Sequence, residues 1–198
     1  CVGGCFVSDQ VYKAYSGELG EKRQQYTKTR VDRIVENVVG ERVLDVGCSQ
    51  GICSIFLGEK RKRVLGIDLS EESIQFAQEK LQQNADKING TVTFEKHDFL
   101  EWDFSQAKFD TVIMTQVLEH LENPISFIEK AMSLLEENGR FIVTVPFGIN
   151  EAPDHKRTYY LGELYKQVEP FCSVVEVKIE GHWLGFICTH PQKGPKIE

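Results

Sequence analysis

The feature that most constrains the fold is an apolar run that ends in a glycine-rich loop at 43–51, with a second apolar run at 64–68. The first reads Val-Leu-Asp-Val-Gly-Cys-Ser-Gln-Gly and the second Val-Leu-Gly-Ile-Asp, with a gap of helical length between them. Two strands joined by a glycine turn and a helix are typical of an α/β sheet that binds nucleotides at the carboxyl ends of its strands. The pattern therefore predicts strand, loop, helix and strand, with Asp68 as a terminal carboxylate.

Individual residues of this stretch have the properties of a cofactor-binding loop. Gly47 and Gly51 carry no Cβ, so the backbone can approach a ligand closely at both positions. The carboxylate of Asp68 can accept hydrogen bonds from both hydroxyls of a ribose. The glycine spacing, with Asp45 just before the first glycine, differs from the G-x-G-x-x-G pattern of dinucleotide-binding proteins. This spacing disfavours an NAD-dependent oxidoreductase.

Strand-like runs recur along the chain, with helical patterns between them. An amphipathic helix over 20–39 precedes the first strand. The last two runs lie too close together for a crossover connection, which predicts an antiparallel hairpin. We expect an α/β fold with a doubly wound, mostly parallel seven-stranded sheet that ends in this hairpin. The predicted strands are 42–46, 63–67, 91–95, 109–114, 140–145, 173–179 and 183–189.

Length and composition predict one folded domain, because the chain has 198 residues and 41% hydrophobic content. We expect a flexible segment over 1–19, a domain over 20–190 and a polar tail over 191–198. The chain starts at Cys1 and ends in a polar segment, so a piece of a longer polypeptide is one expectation.

Charge and cysteine content restrict the class of partner and the compartment. A net charge of −7 disfavours a nucleic acid, because binding of nucleic acids depends largely on neutralising phosphates. The sequence contains no apolar run of the length that a membrane span requires, so we expect no membrane partner. The six cysteines include no C-x-x-C pair, which predicts reduced thiols and a cytoplasmic protein.

Several segments follow one another in the order found in a known family. The loop resembles motif I of the class I S-adenosylmethionine-dependent methyltransferases, D-x-G-x-G-x-G, with Ser49 at the middle glycine. The segment His97-Asp98-Phe99 follows the third strand, and the resemblance covers roughly residues 30–150. It implies S-adenosylmethionine as the cofactor, with Asp98 at the adenine amine and Phe99 packed on the adenine ring. The implied residues for the methionine and ribose portions are Asp45, Gly47, Gly51 and Asp68.

The segment after the fourth strand carries the candidate catalytic residues. If it is helical, Gln116, Glu119 and His120 share one face. The segment resembles E-x-x-E-H of the ubiquinone-pathway O-methyltransferases and the small-RNA 2'-O-methyltransferases, with Gln116 at the first glutamate. The RNA enzymes have a further histidine after the fifth strand, where this chain has His155. The resemblance therefore implies Glu119, His120 and His155 as catalytic residues and ligands of Mg²⁺ or Mn²⁺. A metal-free histidine base and a purely structural role remain the alternatives.

These features predict a methyltransferase that acts on an oxygen of a small molecule or a glycan. The cofactor carries the reactive methyl group, so the protein chiefly has to align the acceptor and remove its proton. One alternative is a metal-assisted RNA 2'-O-methyltransferase. Another is a non-catalytic module that keeps the cofactor fold within a larger protein.

Overall fold

The computed structural model describes residues 11–149 and 152–191, and these form one seven-stranded sheet in the order β3-β2-β1-β4-β5-β7-β6. β7 runs antiparallel to both of its neighbours, and the other neighbouring strands pair in parallel. This confirms the predicted fold class. The strands are β1 (Arg42–Val46), β2 (Arg63–Asp68), β3 (Thr91–Lys96), β4 (Phe109–Thr115), β5 (Leu135–Pro146), β6 (Ser173–Glu180) and β7 (Trp183–Thr189).

Helices cover both faces of this sheet. On one face, Ile34 and Ile55 pack with strand residues such as Val43 in one buried cluster. On the other, Ile128 and Leu164 belong to a second buried cluster. Burial on both faces explains the nearly continuous apolar runs of the central strands. The helices of the described residues are α1 (Val11–Ser16), α2 (Glu21–Asn37), α3 (Ile52–Glu59), α4 (Glu71–Gln83), α5 (Pro124–Leu134) and α6 (Leu161–Val168).

Residues 11–16, within the segment 1–19 that is expected to be flexible, form the helix α1. Tyr12 of α1 contacts Phe76 of α4, with ring centroids 5.5 Å apart, and its backbone N–H donates to Gln50 Oε1 at 3.0 Å. Ala14 is buried. Residues 11–16 therefore form a packed helix that is too short to give a clear periodic pattern, and residues 1–10 and 192–198 lie outside the described residues.

The junction of α5 and β5 also differs from the prediction. The fifth strand was predicted over 140–145, but α5 ends at Leu134 and β5 begins at the next residue. The pairing of β4 with β5 shifts register between Phe109 and Thr111, which accommodates the extra residues. In the described part of the chain, no helix is long and apolar enough to cross a membrane.

Candidate active site

The glycine-rich loop at 47–51 joins β1 to α3 at the carboxyl edge of the sheet. Gly47 and Gly51 have φ angles of 67° and 77°, in the left-handed region that favours glycine. A Cβ at Gly47 would lie 2.6 Å from Val117 Cγ2, and a Cβ at Gly51 would lie 2.5 Å from Phe94 Cζ. Backbone conformation and packing therefore both require glycine here, and contact of these residues with a cofactor remains a prediction.

Asp68 is the last residue of β2 and lies beside this loop. Its Oδ2 accepts a hydrogen bond from the backbone N–H of Ser49 at 2.9 Å, and its Oδ1 accepts one from the N–H of Ser70 at 2.9 Å. A carboxylate oxygen can accept more than one hydrogen bond. The two backbone bonds therefore fix the orientation of the carboxylate and leave it acceptor capacity for a ligand.

Asp45 lies within β1 and is 1% exposed. Its Oδ2 accepts a hydrogen bond from Ser54 Oγ of α3 at 2.7 Å, whereas its Oδ1 is buried without a partner among the described residues. Burial raises the pKa of Asp45 from 3.8 to about 6; the Ser54 hydrogen bond opposes this rise, and the charge of Asp68 adds to it. Asp45 thus connects the strand to the helix while one of its oxygens stays unpaired in the described chain.

The end of β3 lies next to the end of β2, because the N–H of His97 donates to the backbone oxygen of Asp68 at 3.1 Å. Asp98 follows directly, and its Oδ1 accepts a hydrogen bond from the N–H of Leu100 at 2.8 Å. The structure therefore places Asp68 and Asp98 after neighbouring strands on the edge that carries the glycine loop.

Apolar residues follow Asp68 and Asp98 directly in the sequence. Phe99 is only 4% exposed, and its ring centroid lies 5.8 Å from that of Phe104 and 5.4 Å from that of Phe127. Most of its surface contacts the core, and its contact with adenine remains a prediction. Leu69 and Leu100 are 57% and 40% exposed. The sequence analysis missed both leucines, because an exposed and a buried leucine look alike in a sequence.

The segment after β4 is a 3₁₀ turn at Leu118–His120 and not an α-helix. Gln116 has a φ of 56°, its N–H donates to the Thr144 backbone oxygen at 2.8 Å, and its Nε2 lies 3.4 Å from Thr144 Oγ1. An α-helix does not pass through a left-handed residue. The condition under which Gln116, Glu119 and His120 would share one helical face is therefore not met.

The structure nevertheless brings Glu119, His120 and His155 together. One nitrogen or oxygen atom from each side chain lies within 4.8 Å of the others. His120 Nε2 lies 3.9 Å from Glu119 Oε1, and the two imidazole centroids are 4.8 Å apart. Glu119 is 1% exposed, whereas both histidines are half-buried. One carboxylate and two imidazoles thus form a compact group that could hold a divalent cation.

Hydrogen bonds to backbone oxygens hold the loop that carries His155 against the 3₁₀ turn and the residue after it. The N–H of Lys156 donates to the backbone oxygen of Glu119 at 2.7 Å, and Arg157 Nη2 donates to the backbone oxygen of Leu121 at 2.8 Å. Residues distant in sequence are thereby fixed beside each other. This docking explains how a loop after β5 can supply a side chain to a site that is formed after β4.

Asp154 is a further member of the group, to which the sequence analysis gave no role. Its Oδ2 lies 3.3 Å from His120 Nδ1. A carboxylate at this nitrogen favours a proton on Nδ1 and leaves the Nε2 lone pair facing Glu119. The adjacency of an acid and a histidine at 154–155 was the available signal, but the sequence does not show which histidine the acid contacts.

Two members of the group, Glu119 and His155, have shifted pKa values. Burial raises the pKa of Glu119 to about 8, against a backbone hydrogen bond and the Arg30 cation, which lower it. Burial also lowers the pKa of His155, and the nearby His120 acts in the same direction. Shifted pKa values of neighbouring groups in one cluster are typical of functional sites.

Comparison with known proteins supports a single family. Residues 37–184 match the family model described as a methyltransferase domain. The ubiquinone biosynthesis O-methyltransferase of Haemophilus ducreyi is 31% identical over 122 residues, which cover 61% of this chain and 50% of that protein. The corresponding protein of Actinobacillus pleuropneumoniae is 30% identical over 111 residues, which cover 55% of this chain and 47% of that protein. The chain thus spans about half the length of the curated relatives that it matches.

Solved structures share the fold. The magnesium protoporphyrin IX methyltransferase of Synechocystis with bound SAH superposes with a TM-score of 0.74 at 19% identity, covering 94% of this chain and 97% of that chain. An S-adenosylmethionine-dependent methyltransferase from Clostridium acetobutylicum superposes with a TM-score of 0.69 at 14% identity, covering 94% and 99%. Since the family match includes both the glycine loop and the Glu119–His155 group, the chain belongs to the methyltransferase domain family of class I S-adenosylmethionine-dependent methyltransferases.

Proposed function

We propose that this chain transfers the methyl group of S-adenosylmethionine to a hydroxyl oxygen of a small molecule, with a divalent cation held by Glu119, His120 and His155. The observation that carries the proposal is the convergence of these three side chains at the carboxyl edge of the sheet. The relatives named as O-methyltransferases support the choice of oxygen as the acceptor atom.

The residues of the group fit a cation. Glu119 Oε2 and His155 Nδ1 are both buried and have no hydrogen-bond partner among the described residues. Each unpaired buried polar atom costs about 1–3 kcal/mol, and a cation would satisfy both atoms at once. Two imidazoles and one carboxylate suit Mn²⁺ or a similar transition-metal ion better than Mg²⁺, which prefers oxygen ligands.

Asp154 acts on the group through His120. Its carboxylate holds the Nδ1 proton, so Nε2 is the nitrogen available for a ligand. His155 is neutral at neutral pH because its pKa is lowered, so its imidazole can accept a proton. The same cluster therefore serves as a ligand set when a cation is bound and supplies an imidazole base when none is bound.

The methyl-transfer step itself requires few protein groups. The methyl carbon leaves the cofactor sulfur and bonds to the acceptor oxygen, the O–H proton passes to a base, and S-adenosylhomocysteine is released. When bound, the cation lowers the pKa of a hydroxyl group that contacts it. The protein contributes by orienting the acceptor in line with the methyl group. With the cation bound, the imidazole of His155 is a ligand and the proton passes to water; in the metal-free alternative, the imidazole of His155 receives the proton.

The cofactor site in this proposal follows the edge from β1 to β3. Asp68 binds the ribose hydroxyls with a carboxylate already oriented by the loop, and Asp98 binds the adenine amine. Leu69 and Leu100, which are exposed beside these acids, supply the apolar contacts of the adenine ring. The unpaired Oδ1 of Asp45 accepts a hydrogen bond from the methionine portion or from a water molecule next to it.

The proposed location is the cytoplasm. Cys53, Cys172 and Cys188 are buried and carry free thiols, as expected of a protein in a reducing compartment. Their burial makes them poor candidates for nucleophilic chemistry, so none has a role in the proposed reaction.

Calorimetric titration with S-adenosylmethionine, S-adenosylhomocysteine and NAD tests the cofactor. Binding of the first two and not of NAD is expected; binding of none would favour the non-catalytic module. Methyl transfer to a panel of phenols, catechols and glycans then tests the acceptor. Activity that is lost in EDTA and restored by Mn²⁺ supports the cation, whereas full turnover in EDTA would leave a histidine base as the mechanism.

A Mn²⁺ titration followed by electron paramagnetic resonance tests the ligands without relying on activity. Glu119→Gln and His155→Gln should each weaken Mn²⁺ binding at least tenfold, about the usual minimum for loss of one ligand or its support. His182→Gln, in the β6–β7 hairpin, is the matched control and should bind Mn²⁺ like the unmodified protein. Equal binding by all variants would refute the assignment.

A further inference from the structure

The outermost strand, β6, presents an unpaired edge. β6 is last in the strand order and pairs with β7 along one side only. Among the described residues, no backbone hydrogen bond reaches residues 173–180 from any element other than β7. An exposed edge of this kind offers a row of N–H and C=O groups to another strand.

The side chains of β6 form an apolar stripe and, at the alternate positions, a charged stripe. Val177 and Ile179 lie opposite Phe186 and Leu184 of β7, and are 44% and 46% exposed. Val175, at the bulge of the strand, is 53% exposed. Natural edge strands seldom leave several large apolar side chains in water unless another surface covers them.

The alternate positions of the strand carry charges in a self-complementary order. Glu176 and Lys178 lie on the opposite face from Val177, one on either side of it in sequence. If two copies of β6 pair antiparallel with Val177 opposite Val177, Glu176 of each copy faces Lys178 of the other. The same register sets Val175 opposite Ile179 twice, so both stripes match.

Neighbouring registers do not match in this way. A shift by two residues in either direction places Lys178 opposite Lys178 or Glu176 opposite Glu176, and both arrangements bring like charges together. A shift by one residue sets an apolar side chain opposite a charged one. The sequence of this strand therefore selects a single antiparallel register with itself.

We propose that β6 is a homodimer interface in which two copies pair antiparallel about a two-fold axis at Val177, so that one sheet continues through both copies. Such an isologous contact is closed and stops at two chains. Glu176 is already paired with Arg33 of α2 but stays 37% exposed, and Lys178 stays 46% exposed, so both can reach a second copy.

The interface leaves the candidate active site open. The glycine loop follows β1 and the Glu119 turn follows β4, and both strands are separated from β6 by β5 and β7. Dimer formation is therefore independent of the proposed function, and each can fail without the other.

Sedimentation velocity across micromolar concentrations tests the proposal. The unmodified chain should dimerise, and Lys178→Glu should shift it to monomer, because two carboxylate pairs would then face each other. Lys60→Glu changes the charge equally at the exposed end of α3 and should leave the dimer intact. Glu176→Lys should also be monomeric alone but should form a heterodimer when mixed with Lys178→Glu. A monomeric unmodified chain, or a dimer insensitive to Lys178→Glu, would overturn the proposal.

Cross-linking tests the register directly. In a chain with Cys1→Ser and Cys5→Ser, Val177→Cys should form a disulfide between copies under mild oxidation, because directly opposed residues lie within disulfide reach. Ile179→Cys should not, because its copies lie several residues apart in the proposed register. The mixture of Val175→Cys and Ile179→Cys should cross-link again. Cross-linking of Ile179→Cys alone and not of Val177→Cys would show that another register or surface is used.

Discussion

Replacement of Asp45 by asparagine should change the pH dependence of stability in a way that the structure specifies. Asp45 is 1% exposed, and burial raises its pKa from 3.8 to about 6. At about 1.4 kcal/mol per pH unit, this interval corresponds to about 3 kcal/mol of unfolding free energy. Because the group is almost fully buried, solvent screening reduces this figure little.

The direction of the pH dependence follows from the number of protons that the folded and unfolded chains bind. Between about pH 4 and pH 6 the folded chain holds the Asp45 proton more tightly than the unfolded chain does, so stability falls as pH rises through this window. Asparagine has no proton to lose. Relative to the unmodified chain, Asp45→Asn should therefore gain about 3 kcal/mol between about pH 4 and pH 7 and remain constant above that.

Urea unfolding of both chains at a series of pH values measures this difference. The introduced amide brings an offset from its unpaired N–H groups, but that offset does not depend on pH, and other titrating groups cancel between the two chains. Ser54→Ala is the comparison variant: it retains the charge of Asp45 but removes the hydrogen bond that opposes the rise in its pKa, so its stability relative to the unmodified chain should fall as pH rises, opposite to Asp45→Asn. A pH-independent difference for Asp45→Asn would refute the account of the buried charge. Weaker S-adenosylmethionine binding by the same variant would give the functional reason for keeping the carboxylate.

Three further outcomes are expected. Asp68→Ala should weaken S-adenosylmethionine binding by about 1–3 kcal/mol in calorimetry, because a charge-assisted pair of hydrogen bonds is lost; unchanged affinity would remove Asp68 from the cofactor site. The Mn²⁺ affinity should rise with pH up to about 8, where Glu119 loses its proton, and Glu119→Gln should flatten this rise; an equal slope in both chains would exclude Glu119. Gly51→Ala should lower the thermal unfolding temperature far more than Gly20→Ala. Both glycines have positive φ, but only at Gly51 would the added Cβ meet a neighbour, Phe94, at 2.5 Å. Similar losses in the two variants would show that backbone strain, and not the contact with Phe94, determines the effect.

The sheet was predictable because its signals are local. Strands with apolar runs, such as 42–46, and the close spacing of the last two strands were visible in the sequence, and the structure confirms them. The start of α4 also has a local cause, since Ser70 Oγ accepts the Ser73 N–H at 3.1 Å. Each of these features depends on residues that are close together in the sequence.

The site was harder to predict because its features depend on long-range contacts. The N–H of Gln116, a residue with left-handed backbone conformation, donates to the backbone oxygen of Thr144 in the neighbouring strand. The segment after it therefore forms a 3₁₀ turn, although its residue spacing is compatible with an α-helix. The pairing of Asp154 with His120 depends on how the loop after β5 docks. A family resemblance could suggest Glu119 beside His155, whereas neither periodicity nor charge pattern alone would have brought them together.

The placement of buried charge supports the site assignment independently of any resemblance. Among the described residues, the buried carboxylates are Asp45 and Glu119, and each has one oxygen without a partner. A buried carboxyl oxygen without a hydrogen-bond partner lowers stability whether the group is charged or protonated, so a fold that needed only a stable core would replace both groups. Asp45 lies in β1 and Glu119 follows β4, which are neighbours in the sheet, and both lie near the carboxyl edge. The chain thus concentrates its unfavourable carboxylates where parallel sheets bind their ligands, which is the arrangement expected when function rather than stability has selected them.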